Sequence, residues 1–253
     1  MSSWSKRRRT LYAIVVIVIL VGAVIIPAFL IFYRSPTCTD GKLNGREQGI
    51  DCGGSCQRLC QSSFLPASPA WTRFEEVAPS LYNVAAYIVN PNTEGEATDA
   101  PYRMTLYDSR GVPITETTGI VTLPPHRNTL AFQGAISVSK RIPTKVLFEF
   151  IGAPNWHRKI DPLTRLSIGE KKYSEDSSGS SLTVELTNTD VLPLAGLAVY
   201  TVLYDAEGNS LGFSKTILDE IPAKGTVVAP FTWQINREGK VTSIEVLPVV
   251  ENR

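Results

Sequence analysis

The sequence has little histidine and none of the common catalytic motifs. Its two histidines, His126 and His157, each lie in a stretch typical of an exposed loop, which favours a surface side chain over a general base. No Gly-x-Ser-x-Gly elbow, glycine-rich phosphate loop or His-Glu-x-x-His helix is present. We therefore predict a protein that is not an enzyme and that has no cofactor.

An excess of positive charge is also lacking. The chain has 25 Lys and Arg residues against 24 Asp and Glu residues. Five of the basic residues lie in the first 34 positions, which hold no acidic residue, so the rest of the chain is slightly acidic. Binding to a phosphate backbone requires clustered positive charge. We expect no nucleic-acid partner.

What the sequence does contain is one long apolar run. Between Thr10 and Tyr33 no side chain other than tyrosine can ionise. As a helix, Leu11–Phe32 would be about 33 Å long, enough to cross a hydrocarbon core of about 30 Å. The run predicts a transmembrane helix over residues 11–33, in contact with membrane lipid, after a cytoplasmic stub over residues 1–10.

The charges that flank this run predict its orientation. Lys6–Arg9 precede it and only Arg34 follows closely, so the positive-inside rule puts the N-terminus in the cytoplasm. A cleaved signal peptide is the alternative, but its apolar core spans about 7–15 residues and ends at a small-residue site. We favour an uncleaved signal-anchor, which makes the chain a single-pass protein of the cell membrane with extracytoplasmic domains.

Cysteine is confined to one juxtamembrane segment, residues 36–62. All four cysteines lie there, on the side predicted to be oxidising, where thiols pair into disulfides. The segment is rich in turn-forming residues and almost free of apolar ones, so disulfides rather than a core would stabilise it. Three connectivities are possible for the four predicted disulfide residues, Cys38, Cys52, Cys56 and Cys60.

This segment resembles a short cysteine-rich motif of secreted and surface proteins, C-x-D-G-x-x-N-G-x-E-x-x-x-D-C-G-G-x-C, at every fixed position. The resemblance implies extracellular display. Zinc bound by four thiolates is an alternative to disulfides, although the spacing lacks the usual pair of short knuckles. Calcium is another alternative, since a hard cation prefers oxygen ligands, and the candidate donors are Asp40, Asn44, Glu47 and Asp51.

A repeat occupies the rest of the chain. The segment Leu-Tyr-Asp-x-x-Gly that ends at Gly111 recurs 97 residues later and ends at Gly208. In each copy the Asp suits the first position of a type I turn, and the Gly suits the positive φ that follows. We assign structural turn roles, rather than catalytic ones, to Asp108, Gly111, Asp205 and Gly208.

Each copy has the pattern of β-structure. Leu182, Val184 and Leu186 alternate with polar residues, which predicts a half-buried strand. The equivalent strand, Val84–Ile88, has a less clean opposite face. No stretch after residue 60 has a helical period, and short strands in units of about 100 residues are typical of immunoglobulin-like sandwiches.

The predicted fold class is therefore all-β. Two tandem immunoglobulin-like β-sandwiches, over residues 70–152 and 160–253, follow the transmembrane helix and the small disulfide-rich segment. Trp71 and Trp156 flank the first sandwich, where packing between domains competes with partner binding as their role. The strand that ends in Leu-Tyr-Asp resembles the FxLYD family of extracytoplasmic β-sandwich domains, with Met104 in place of the leading Phe in the first copy. The resemblance implies an envelope-associated sandwich without catalytic residues.

These features predict a membrane-anchored extracytoplasmic protein with a structural or binding role. Its partner is expected to be a protein or another envelope component. The alternative is an accessory subunit of a membrane-embedded complex for envelope assembly or secretion, in which the apolar helix would contact the helices of its partners.

Overall fold

The computed structural model describes residues 3–32, 35–159, 162–177, 179–234 and 240–251. The chain divides into two compact units, Met1–Cys56 and Gln57–Arg253. The first contains a helix and most of the cysteine segment, and the second contains the β-structure.

The first unit begins with helix α1, Ser3–Phe32, which includes Pro27. Its apolar span, Arg7–Phe29, has 23 residues and a mean hydropathy of 3.0, and none of it is buried. A helix that is apolar on all sides and not buried in protein suits lipid, because its backbone polar groups are paired within the helix. The expected N-terminal apolar helix is confirmed, although it begins within the predicted stub, at Ser3.

The second unit holds two β-sandwiches. The first has seven strands: β1 (Ser68–Ala78), β2 (Leu81–Val89), β3 (Gly95–Tyr107), β4 (Pro113–Leu123), β5 (Asn128–Ser137), β6 (Lys145–Phe150) and β7 (Trp156–Arg158). They form two antiparallel sheets, in the orders β1-β2-β5 and β4-β3-β6, and β7 pairs with the start of β3. The first sandwich therefore extends beyond residue 152, its predicted boundary.

The second sandwich repeats this arrangement with six strands: β8 (Leu166–Asp176), β9 (Gly179–Asn188), β10 (Leu194–Tyr204), β11 (Ser210–Ile221), β12 (Thr226–Trp233) and β13 (Ser243–Val250). Its sheets have the orders β12-β9-β8 and β11-β10-β13, so each strand has the same neighbours as its counterpart in the first copy. Two short 3₁₀ turns, Gln61–Ser63 and Pro162–Arg165, precede the sandwiches. The all-β prediction is confirmed.

Each sandwich has its own apolar core. Alternating residues on the facing strands fill it, such as Met104 and Leu106 in the first copy and Val184 and Leu186 in the second, all with at most 1% of their surface exposed. Alternation explains this arrangement, because successive side chains of a strand point to opposite faces of the sheet.

A third apolar cluster joins the two sandwiches. Sheet β1-β2-β5 of the first faces sheet β11-β10-β13 of the second, and the cluster draws residues from both. Strands β2 and β10 are consequently buried on both faces and have nearly continuous apolar sequences. The cluster consists of Ala85, Tyr87, Leu130, Ala198, Tyr200, Val202, Phe213, Leu247 and Val249.

Candidate functional site

The cysteine segment is a series of tight turns held by disulfides. Cys38 and Cys56 are bonded to each other, Cys52 and Cys60 are also disulfide-bonded, and none of these four residues is free. The disulfide prediction is confirmed, and the Cys38–Cys56 bond gives a connectivity that the sequence left open. Zinc binding by four thiolates is excluded, because sulfurs bonded in disulfides are not thiolates.

The acidic residues of this segment accept hydrogen bonds from its turns. Both carboxylate oxygens of Asp51 accept from the Gly41 amide, at 3.1 and 3.0 Å. Asp40 accepts from the Asn44 side-chain amide at 2.8 Å, and this bond lowers the pKa of Asp40. Glu47 accepts from the Asn44 backbone amide at 3.2 Å. These contacts provide partners for backbone amides that no regular ladder would satisfy.

The same acids do not gather around a common point. Within the described residues, one group of three His, Cys, Asp or Glu ligand atoms lies close enough for a metal, and it comprises Cys38, Glu47 and Cys56. Two of these three atoms are disulfide sulfurs, which carry no charge for a hard cation to bind. Calcium binding by the predicted donors stays a prediction that this geometry does not favour.

The two repeated turns have the same backbone geometry. The amide of Gly111 donates to the Asp108 carbonyl at 3.0 Å, and the amide of Gly208 donates to the Asp205 carbonyl at 3.3 Å. Both glycines have positive φ, 74° and 80°. Each aspartate side chain also accepts from the backbone amide four residues on, Val112 in the first copy and Asn209 in the second.

The two turn aspartates differ in their cationic partner. Arg141 donates to Asp108 at 2.6 Å, which ties the β3–β4 turn to the loop before β6. This contact, with the Val112 amide, lowers the pKa of Asp108 to about 2. Asp205 accepts from the neutral side chain of Asn209 instead, which also lowers its pKa. Within the described residues, an ion pair therefore stabilises the first turn and not the second.

Aromatic rings connect the sandwiches. Trp71 on β1 stacks on Tyr87 with ring centroids 5.3 Å apart, and it also faces Phe213 of the second sandwich at 6.5 Å. Phe132 meets Phe213 edge-on at 6.1 Å. For Trp71, packing between the domains is therefore the role that the structure provides. Trp156 instead lies in the first core, stacked on Phe64.

Carboxylates line one margin of this interface. Glu245 accepts hydrogen bonds from Tyr87 at 2.7 Å and from Tyr204 at 3.0 Å, and thus joins both sandwiches. Burial, followed by the bond to Glu245, raises the pKa of Tyr87, so this phenol stays protonated. At the other end of β13, Glu251 accepts from Tyr200 and from Lys215.

The histidines are exposed and separate. His126 occupies a turn with a φ of 55°, whereas His157 lies in β7 rather than in the expected loop. Neither imidazole hydrogen-bonds to another side chain in the part of the chain that the structure describes. The described part of the chain instead presents the outer surfaces of two sandwiches that share an apolar cluster, together with their loops.

No protein-family model matches the sequence, and no curated protein matches it significantly. Among solved structures, one similar chain is the crystal structure of red sea bream transglutaminase, with a TM-score of 0.21 and 12% sequence identity. The match covers 72% of this chain and 31% of the transglutaminase chain. A likeness of this size carries no argument about function.

Proposed function

We propose that the protein is a single-pass membrane protein that displays two immunoglobulin-like domains of the FxLYD type outside the cytoplasm. Its role is structural or binding, without catalysis, and its partner is a protein or another envelope component. The observation that carries this proposal is the unburied apolar span Arg7–Phe29 of α1. A span of this length and hydropathy matches the thickness of a bilayer core.

The basic residues before the span support the proposed orientation. Arg7, Arg8 and Arg9 lie at its N-terminal end, and the positive-inside rule retains such residues in the cytoplasm. The disulfides of the cysteine segment agree with this orientation, since disulfides persist in oxidising compartments.

The shared apolar cluster supports a display role. Two domains joined by a flexible linker would move independently, whereas domains with a large apolar interface hold their outer surfaces in a fixed relation. A fixed relation suits a scaffold that presents a composite binding surface.

Protease treatment of sealed cells tests the topology. With a tag after residue 253, we expect added protease to degrade the β-sandwiches in sealed cells and to leave a small N-terminal fragment that includes α1. A cytoplasmic marker protein should survive in the same sample. Sparing of the sandwiches until the cells are lysed would overturn the proposal. The intact mass of the purified protein separates a retained anchor from a cleaved signal peptide.

A further inference from the structure

The cysteine segment turns its aliphatic side chains outward. Residues 36–56 contain two branched aliphatic side chains, Leu43 and Ile50, and these are 64% and 60% exposed. The buried position is taken instead by Cys56, which is 1% exposed and bonded to Cys38. Single exposed apolar residues are common on protein surfaces. Here, however, the segment leaves all of its branched aliphatic side chains outside its own fold.

Hydrogen bonds within the segment join the two turns that carry these side chains. The Gly41 amide donates to both carboxylate oxygens of Asp51, at 3.1 and 3.0 Å. Leu43 lies two residues after Gly41, and Ile50 directly precedes Asp51. The two exposed side chains therefore belong to adjoining turns of one disulfide-bonded segment.

The charged residues of the segment differ in what they contact. Each of the three carboxylates accepts a hydrogen bond from a backbone amide of the segment: Asp40, Glu47 and Asp51. Lys42 and Arg46, by contrast, are exposed and lie close to Leu43 in the sequence. Long basic side chains can lay their apolar stems along apolar surface and extend their charged ends to a polar layer. Leu43 is therefore bordered by the residue types that suit a boundary between lipid tails and phosphates.

The length of chain before the segment limits its distance from the bilayer. Helix α1 ends at Phe32, and Cys38 follows six residues later. Six residues span at most about 20 Å even when they are fully extended, and the headgroup layer on each side of the hydrocarbon core is itself about 5–8 Å deep. A lipid surface is therefore present at high effective concentration for this segment, so that even a weak contact would be populated.

We propose that the cysteine segment binds the extracytoplasmic surface of the bilayer. Leu43 and Ile50 insert at the boundary between headgroups and acyl chains, and Lys42 and Arg46 contact lipid phosphates. Apolar residues bordered by basic ones bind such a boundary through burial of apolar area together with attraction to phosphate. This inference rests on the proposed anchorage of the chain by α1 and adds a second lipid contact, outside the cytoplasm.

Photocrosslinking to lipid tests the contact in the full-length protein. In separate variants the photoreactive amino acid p-benzoylphenylalanine replaces Leu43, Ile50 or Ile19, and each purified protein is reconstituted into phosphatidylcholine vesicles. Under ultraviolet light the Leu43 and Ile50 variants should each gain the mass of one phospholipid. The same replacement at Leu192, which is 68% exposed in the second sandwich, is the matched control and should give several-fold less adduct.

The Ile19 variant separates this inference from the proposed function, because Ile19 lies within the apolar span of α1. A lipid adduct at Ile19 without one at Leu43 and Ile50, or equal adduct at Leu192, would overturn the surface contact and leave the anchor intact. Absence of the adduct at Ile19 would overturn the anchor itself, and this inference with it. A covalent protein dimer in place of the lipid adduct would overturn the inference and identify a second copy of the chain as the occupant.

Substitutions beside the photoreactive residue test which side chains hold the segment on the lipid. With p-benzoylphenylalanine at Ile50, Leu43→Gln removes the neighbouring apolar side chain and Lys42→Glu repels phosphates, so each should lower the adduct several-fold. Thr39→Gln, at an exposed polar position of the same segment, should leave the yield unchanged. Disulfide mapping of every variant checks that the Cys38–Cys56 bond is retained. Unchanged yields for both Leu43→Gln and Lys42→Glu would overturn the proposed contact.

Discussion

Glu96 is an acidic side chain with only 4% of its surface exposed, at the start of β3. Lys159 contacts it at 2.6 Å. Because a buried charge is costly without its partner, Lys159→Met should lower the free energy of unfolding by about 3 kcal/mol. Arg158→Met is the neighbouring control, since the Arg158–Glu94 pair is exposed, and it should cost less than about 1 kcal/mol. Urea unfolding of both variants measures the difference, and equal costs would contradict this assignment.

The Asp108 carboxylate makes a contribution to the free energy of unfolding that depends on pH. Its pKa in the folded protein, about 2, lies below the ordinary value of 3.8. The carboxylate therefore stabilises the fold fully above its ordinary pKa, and this contribution is lost as the pH falls from about 4 to about 2.

Asp108→Asn should therefore destabilise the protein at pH 7 and make little difference near pH 2. Asp205→Asn should show a smaller change over the same range, because among the described residues the side-chain partner of Asp205 is the neutral Asn209 rather than an arginine. Denaturant unfolding at several pH values measures both. A loss for Asp108→Asn that does not depend on pH would show that the ion pair with Arg141 contributes nothing.

At the scale of elements, the turns of the cysteine segment depend on glycine at one position more than at another. A Cβ atom on Gly54 would overlap the backbone carbonyl oxygen of Arg46, whereas one on Gly41 would meet nothing within 4 Å. Both residues have positive φ. Gly41→Ala should cost only the backbone strain, about 1 kcal/mol, and retain the Cys38–Cys56 bond. Gly54→Ala should give mispaired disulfides, which mapping by mass spectrometry detects. Native pairing in Gly54→Ala would contradict this view.

The sequence predicted those elements whose pattern is local. The apolar run of α1, the clustered cysteines and the alternation of Leu182, Val184 and Leu186 each determine their structure without knowledge of the rest of the chain. Strand β7 was missed, because three residues, Trp156–Arg158, carry too little pattern to distinguish a strand from a loop. The Cys38–Cys56 connectivity was also beyond reach, since four cysteines alone allow three pairings.

At the scale of the whole molecule, the two sandwiches meet through sheets that are not equivalent in the repeat, so an interface residue of one copy corresponds to an exposed residue of the other. Position Tyr200 of the second copy corresponds to Arg103 of the first, which contacts Glu149 on an exposed face. The poor alternation of β2 was a signal that both of its faces are buried. This pattern alone could not identify what covers the second face of β2, since lipid, another chain or a neighbouring domain would produce the same pattern.

The last prediction concerns the stability that the interface between the sandwiches provides. Phe213 is 2% exposed and lies between Trp71 and Phe132 of the first sandwich. Phe213→Ala leaves a cavity there and should lower the free energy of unfolding by about 3–5 kcal/mol. The corresponding residue of the first copy is Glu116, on an exposed face, and Glu116→Ala should cost less than about 1 kcal/mol.

The shape of the unfolding curve tests whether this cluster couples the two domains. The wild-type sandwiches should unfold together in one transition, because separating them would expose the shared apolar cluster to water. Phe213→Asp places a charge within the cluster and should separate the curve into two transitions, one for each sandwich. Two transitions already in the wild-type protein would show that each core is stable alone and that the shared cluster contributes little. A single transition in Phe213→Asp, with unchanged midpoint, would mean that this ring is not buried between the domains.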